Sequence, residues 1–278
     1  MKFLKSRKFW CVLLVFTLLF IRHLYNQSLI FQSTDEPYKD ISNYYEKSEL
    51  SENEYIEIFK QTGVSPYAYN ELKSINKLYM LDMLHKMYFN KPDIEQKYLC
   101  FPFTTMEYNI SQKTPIINVK DGDILVNLST STLDWRHGHS AIVIDAEKDK
   151  TIEHTLVGGV SQEGSVSSWS TQPRFVVLRY EDEGVVSEVV KYAKENLLGV
   201  GYNIFVGIDG KKDKSDEKKK YASNCSHIVW QAFKSQGIDI DSNGGLFVTP
   251  EEIALCDKLK VVQIYGIDTK EYIDRILW

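Results

Sequence analysis

The sequence predicts an α+β fold with a helical segment added on its N-terminal side, and three observations lead there. From about residue 114 to residue 180, short β-branched runs alternate with turn residues, which is the pattern of strands. Helical patterns flank that region on both sides. A single apolar run close to the N-terminus belongs to neither class and reads as an export segment.

That run comes first. Lys2, Lys5, Arg7 and Lys8 precede an unbroken apolar stretch from Phe9 to Ile21, and Arg22 and His23 end it. A basic region followed by roughly a dozen apolar residues is the pattern of an export signal. It is short of the about 20 residues a spanning helix usually needs. No small-x-small cleavage site follows, because the next residues are Leu24, Tyr25, Asn26 and Gln27. An uncleaved signal-anchor is favoured over a cleaved signal peptide, and a buried helix of a soluble protein is the third reading. The positive-inside rule places the bulk of the chain outside the cytoplasm, membrane-anchored or secreted. Residues 1–26 are assigned to this segment and the polar, irregular residues 27–40 to a linker.

Residues 41–113 read as a helical extension. Ser51 and Glu54 form a capping box ahead of Tyr55, Ile58 and Phe59, and Gly63 and Pro66 punctuate the end of that helix. A second helical pattern runs through Leu72, Ile75, Leu78, Leu81, Leu84 and Met87. Residues 114–278 form the α+β domain. Its strands are expected at Ile124–Val126, Ser140–Asp145, Thr151–Leu156 and Arg174–Tyr180, with helices at Val185–Leu198 and Asn224–Ser235. The tract Lys211–Lys220 is almost wholly charged and reads as a solvated loop, with contact to acidic polymers or anionic lipid heads as the sharper alternative.

At 278 residues the chain can bury a real core. Its net charge is −5 with both signs interspersed, so it lacks the basic stripe of a nucleic-acid binder, and that class is set aside. Of four cysteines, Cys11 lies in the apolar run, which leaves Cys100, Cys225 and Cys256. An odd number outside the cytoplasm leaves at least one unpaired or joined to another chain. No C-x-x-C or structural zinc spacing occurs, and no cofactor is indicated.

Three segments concentrate reactive side chains: His137-Gly138-His139 at the head of one strand, Glu153-His154 on the next, and Ser223-Asn224-Cys225-Ser226-His227 before the apolar helix Ile228–Phe233. A cysteine in the first turn of a helix meets unsatisfied N–H groups and the positive end of the dipole, and both favour the thiolate. An imidazole lowers the thiol further and protonates the leaving group, and a third polar residue fixes the imidazole's tautomer. The bland reading of Cys225 is a small buried residue. His227 follows Cys225 by two on a helix and faces elsewhere, His85 is structural, and Trp135 and Trp169 either line a groove or pack.

These segments resemble the NlpC-like papain-fold superfamily in its circularly permuted YiiX/YaeF-like branch. The resemblance rests on Gly122-Asp123-Ile124, Gly138-His139-Ser140-Ala141-Ile142-Val143, Ile152-Glu153-His154, Leu198-Gly199-Val200-Gly201-Tyr202-Asn203, Asn224-Cys225-Ser226-His227-Ile228-Val229, and Thr249-Pro250-Glu251-Glu252-Ile253. It covers about Val119 to Val262, with His before Cys as in the permuted order. It implies a permuted papain-like fold with an antiparallel sheet or barrel on the Cys-bearing helix. By the same resemblance Cys225 is the nucleophile, His139 the base (His137 the alternative) and His154 the orienting residue (Glu153 the alternative), with Tyr202 near the oxyanion. The implied activity is that of a cysteine peptidase or amidase working through a thioester. Exported relatives cut peptide bonds of peptidoglycan, and neighbouring permuted families transfer acyl chains, so lipid acyl transfer is the alternative enzyme. The other class is a noncatalytic wall-, membrane- or metal-binding module in which His137, His139, His154 and Cys225 serve as ligands.

Overall fold

The computed structural model describes residues 7–32, 34–101, 103–155, 158–207 and 222–276, with side chains from Trp10 onward; Lys2, Lys5, Leu156 and the tract 211–220 lie outside them. The apolar run is one helix, α1 (Arg7–Ser28). Its stretch Trp10–Ser28, 19 residues of mean hydropathy 1.2, is long and apolar enough to cross a membrane, and 6% of it is buried. Trp10, Phe16 and Phe20 are more than half exposed, so α1 is not the buried helix of the third reading.

Four helices follow: α2 (Ser42–Tyr45), α3 (Glu52–Thr62), α4 (Pro66–Ser74) and α5 (Tyr79–Phe89). α3 begins at the Ser51–Glu54 capping box and stops at Gly63, whose φ of 70° only glycine holds without cost. The periodic pattern through Leu72–Met87 is two helices rather than one. Asn76 takes a left-handed φ of 56°, and the Lys77 N–H closes back on the Leu72 carbonyl at 2.8 Å. That is a Schellman-type stop at a residue type that tolerates the conformation.

The helical extension ends at Phe89. Residues 94–109 form a hairpin of β1 (Ile94–Cys100) and β2 (Thr104–Asn109), so the extension assigned to 41–113 is helix followed by strand. This hairpin joins β4 (Thr130–Thr132) and β5 (Trp135–Arg136) in a four-stranded sheet, ordered β1-β2-β4-β5.

The main sheet combines β3 (Ile124–Asn127), β6 (His139–Asp145), β7 (Lys150–Glu153), β8 (Gln162–Gly164), β9 (Phe175–Arg179) and β10 (Lys260–Tyr265) in the order β10-β9-β3-β6-β7-β8, every pair antiparallel. It is open: no pairing among the described residues joins β8 to β10, so the sheet half of the expectation holds and a closed barrel does not form. Both faces are covered, which is why β3 and β9 read as continuous apolar runs. One face packs Leu125, Ala141, Val143, Val177 and Tyr265 against α3, α4, α5 and the short α6 (Val166–Trp169). The other packs Ile124, Val126, Ile142 and Leu178 against α7 (Glu183–Asn196), α8 (Cys225–Lys234) and α9 (Pro250–Ala254). A last helix, α10 (Ile273–Ile276), closes beside β10. The helical extension is therefore the third layer of one α/β/α stack.

Gly122-Asp123-Ile124 has a structural task. Asp123 is fully buried and receives two hydrogen bonds from Arg179, Nε to Oδ1 and Nη2 to Oδ2, both at 2.7 Å. The Arg179 Nη1 reaches Glu71 of α4 at 2.6 Å, so the turn fastens β3, β9 and α4 together.

Candidate active site

The site forms where β7 stops short of its neighbour. In the main sheet the Val143 N–H donates to Asp123, toward β3, so alternate residues direct Ser140 N–H toward β7. β7 pairs with Ala141 through Glu153 and ends there. The Ser140 amide thus opens onto a gap in the ladder, and the N-terminus of α8 fills it. Asn224 caps α8, its Oδ1 accepting the His227 N–H at 2.9 Å. Ser226 donates to the Val248 carbonyl at 2.7 Å and ties that terminus to the segment before α9. Cys225, the first residue of α8, is half-buried, and the main-chain amides of Ser140 and Ser226 lie close enough to act on its sulfur.

His139 is the first residue of β6, preceded by Gly138 at φ 76°. A Cβ on Gly138 would lie 2.4 Å from the Asn127 carbonyl, so the Gly-His pair is a steric requirement of this strand entry. The ring stacks on Trp169, centroids 5.5 Å apart and planes 15° apart. Its Nε2 bonds the Glu153 Oε2 at 2.8 Å, which leaves Nδ1 as the ring nitrogen free to serve Cys225, the other group that acts on this imidazole. Glu153 is held in turn by the Thr151 hydroxyl, which donates to Oε1 at 3.2 Å.

Electrostatics polarise the pair. Burial alone would raise the Cys225 thiol, but the hydrogen bond and charge of His139, with the Ser140 and Ser226 amides, outweigh it and lower the thiol. Burial alone would lower His139, but its bonds to Cys225 and Glu153 and their negative charges outweigh that and raise it. Both shifts favour a thiolate beside an imidazolium. Tyr202 lies close enough for the Cys225 charge to act on it; burial first, then that charge, pushes its phenol up to about 12, so it stays a proton donor at neutral pH. Backbone bonds of Ser223 to Gly201 (2.8 Å) and of Asn203 to Ser223 (2.7 Å) lace the Tyr202 segment to the lead-in of α8.

The expected orienting residue changes. His154 does not meet His139: it follows the end of β7, is buried edge-on against Tyr202 at 4.8 Å, and lies beside the Val200–Gly201 backbone with neither ring nitrogen in a well-formed hydrogen bond. Burial lowers it below an ordinary histidine. Glu153 takes the orienting position because it pairs with Ala141, two residues from His139, and so shares its face. His137, the alternative base, is engaged elsewhere: Nε2 bonds the Thr132 hydroxyl at 2.9 Å and Nδ1 the Gly138 carbonyl at 2.8 Å. His137, His139, His154 and Cys225 do not converge as ligands, and no group of three or more His, Cys, Asp or Glu among the described residues is arranged to hold a metal. His227 bonds the Ser223 hydroxyl at 2.7 Å and stacks on Trp230; His85 bonds Gln61 at 2.9 Å. Cys100 and Cys256 are both free, one exposed and one buried.

Trp169, expected either to line a groove or to pack, is buried and stacks on the His139 ring, while Gly164 escapes a reading by motif. A Cβ on Gly164 of β8 would sit 1.7 Å from the Glu153 Oε1 and 2.8 Å from the Thr151 hydroxyl. Gly164→Ala is expected to push the Glu153 carboxylate off His139 and slow alkylation of Cys225 near pH 6 by about three- to tenfold through loss of thiolate. The check is the iodoacetamide rate together with the NMR titration of His139; an unchanged titration would show that the carboxylate does not govern the imidazole.

Compared with models of known protein families, with curated proteins and with solved structures, the chain matches none of them.

Proposed function

We propose that the protein is a membrane-anchored cysteine hydrolase that cleaves an amide bond through a Cys225 thioester. The observation that carries this reading is the polarised chain Cys225–His139–Glu153 at the start of α8, in which the thiol is lowered and the imidazole raised. The Cys225 thiolate attacks the carbonyl carbon and forms the C–S bond, and the electron pair moves to the carbonyl oxygen. Main-chain N–H groups at the start of α8 and the Tyr202 hydroxyl are the donors available to that oxyanion. The tetrahedral intermediate collapses, the C–N bond breaks, and His139 gives its proton to the departing amine. Neutral His139 then takes a proton from water, which attacks the thioester and releases the acid and the thiolate. Glu153 holds the ring in the productive tautomer throughout. An outward-facing domain on α1 suits peptides of the cell wall.

Acyl-lipid chemistry is the second reading, and a specific observation favours it. Ile204, Phe205, Leu246 and Phe247 are exposed on two loops beside the start of α8. The loops touch where Gly207 meets Leu246 and Phe247, and the second continues into Val248, which bonds Ser226. These side chains would suit an apolar acyl group. The test is incubation of the full chain with cell-wall peptides and with N-acyl lipids. Amine release from one class that disappears in Cys225→Ser identifies both the substrate and the nucleophile, and release from neither class opposes the hydrolase reading.

A further inference from the structure

Two hairpin tips lie side by side at the foot of α1. Phe101 and Phe103 lie between β1 and β2, and Leu133-Asp134 form the turn between β4 and β5. The Leu133 N–H donates to the Phe103 carbonyl at 2.9 Å, and the Thr104 and Thr132 hydroxyls bond across at 3.0 Å, so the two tips are joined. They present Phe101 (78% exposed), Leu133 (71%), Trp135 (56%) and Phe103 (52%), with Tyr98 (58%) against Phe101. Scattered exposed apolar residues are ordinary, but five large ones on two adjoining tips are not. The β4–β5 turn is notable in itself. Leu133 and Asp134 both hold positive φ, 49° and 63°, in a two-residue loop that normally selects Asn-Gly. A leucine there bears both backbone strain and exposure to water.

This hairpin is also where α1 is fastened. His23 pairs with Asp134 at 3.4 Å, the Asn26 amide donates to the Asp134 carbonyl, and Arg136 donates to the Asn26 carbonyl at 3.1 Å. From Trp10 to Leu24 the apolar side chains of α1 are uncovered. Aromatic and leucine side chains prefer the boundary between lipid headgroups and acyl chains, and Arg22 and His23 suit the headgroup layer.

We propose that the tips carrying Phe101, Phe103, Leu133 and Trp135 insert into the boundary of the bilayer that α1 crosses and hold the α+β domain against the membrane. This rests on the reading of α1 as a membrane span. The consequence bears on substrate. Trp135 is four residues from His139, at most about 13 Å of chain, so the site serves a substrate presented at the membrane surface, lipid-borne or lipid-linked.

The test uses the full chain reconstituted in phosphatidylcholine vesicles, with and without bromine high on the acyl chains. Subtracting the fluorescence of Trp135→Phe from that of the unaltered chain isolates Trp135, and subtracting Trp10→Phe isolates Trp10. Both differences are expected to lose about half their intensity in brominated lipid, as side chains in the interfacial and acyl layers do. Quenching of Trp10 without quenching of Trp135 overturns the proposal and leaves the span intact. Quenching of neither removes the span itself, and the proposal falls with it.

Discussion

Cys225→Ser is expected to lower amide hydrolysis by about 10⁴-fold or more, the scale on which loss of one member of a nucleophile–base unit is felt. Serine keeps the shape of the side chain, so the packing of α8 against β6 is preserved. What is lost is a group that ionises beside His139, because an alcohol stays protonated where the thiol does not. His139→Ala should cost a similar factor, since it removes both the partner that lowers the thiol and the donor to the leaving amine. The double variant should be no worse than either single one, because residues acting as a unit are strongly non-additive. Amine release from the preferred substrate, followed alongside the unfolding midpoint, checks all three. Multiplying losses in the double variant would mean that the two residues act separately.

Asp123→Ala is expected to cost about 3–5 kcal/mol of stability, the usual penalty for leaving one member of a buried ion pair alone. Arg179 is 4% exposed, and Asp123 supplies two of its hydrogen bonds. Glu71 and the Asn118 carbonyl remain to it, at 2.6 and 2.7 Å, but they do not replace a bidentate carboxylate. Asp123 also accepts the Lys120 N–H at 2.8 Å, so the turn into β3 loosens as well. Removing both charges, with Asp123→Leu and Arg179→Met together, should recover much of the loss, because apolar replacements of similar volume often match a buried pair. Urea unfolding of the full chain in detergent distinguishes these outcomes. A single variant as stable as the unaltered chain would show that the pair does not fasten β3 to β9 and α4.

Much of the sheet and part of the site are legible in the sequence, and the reason differs from element to element. β3, β6 and β9 are buried on both faces, so they appear as short β-branched runs. α8 declares itself through Asn224 and the apolar residues after Cys225, and His139 through the Gly138 that its strand entry requires. Glu153 against His154 is a question of parity, decided by where β7 pairs and stops. The β6–β7 register shifts between Val143 and Asp145, and no local pattern announces that irregularity. β1 escapes because its residues are mostly exposed and carry no apolar alternation. β10, Lys260–Tyr265, is a buried apolar run hidden behind Asp257, Lys258 and Lys260. Gly164 and Trp169 reach the site only through tertiary packing around Glu153 and His139.

The activated pair is tested most directly by the rate of Cys225 alkylation by iodoacetamide against pH, in the full chain and in His139→Ala, with Cys11, Cys100 and Cys256 replaced by serine. The thiol is lowered and the imidazole raised, so the thiolate is present above the depressed value of Cys225 and the ion pair persists until pH approaches the raised value of His139. The rate of the unaltered pair should therefore be nearly flat across neutral pH. His139→Ala should return it to the slope of an ordinary thiol, about tenfold per pH unit below its value near 8.5, and near pH 6 it should react about tenfold more slowly after allowing for the lower nucleophilicity of a weakly basic thiolate. An ordinary thiol profile in both proteins would contradict the account at its centre.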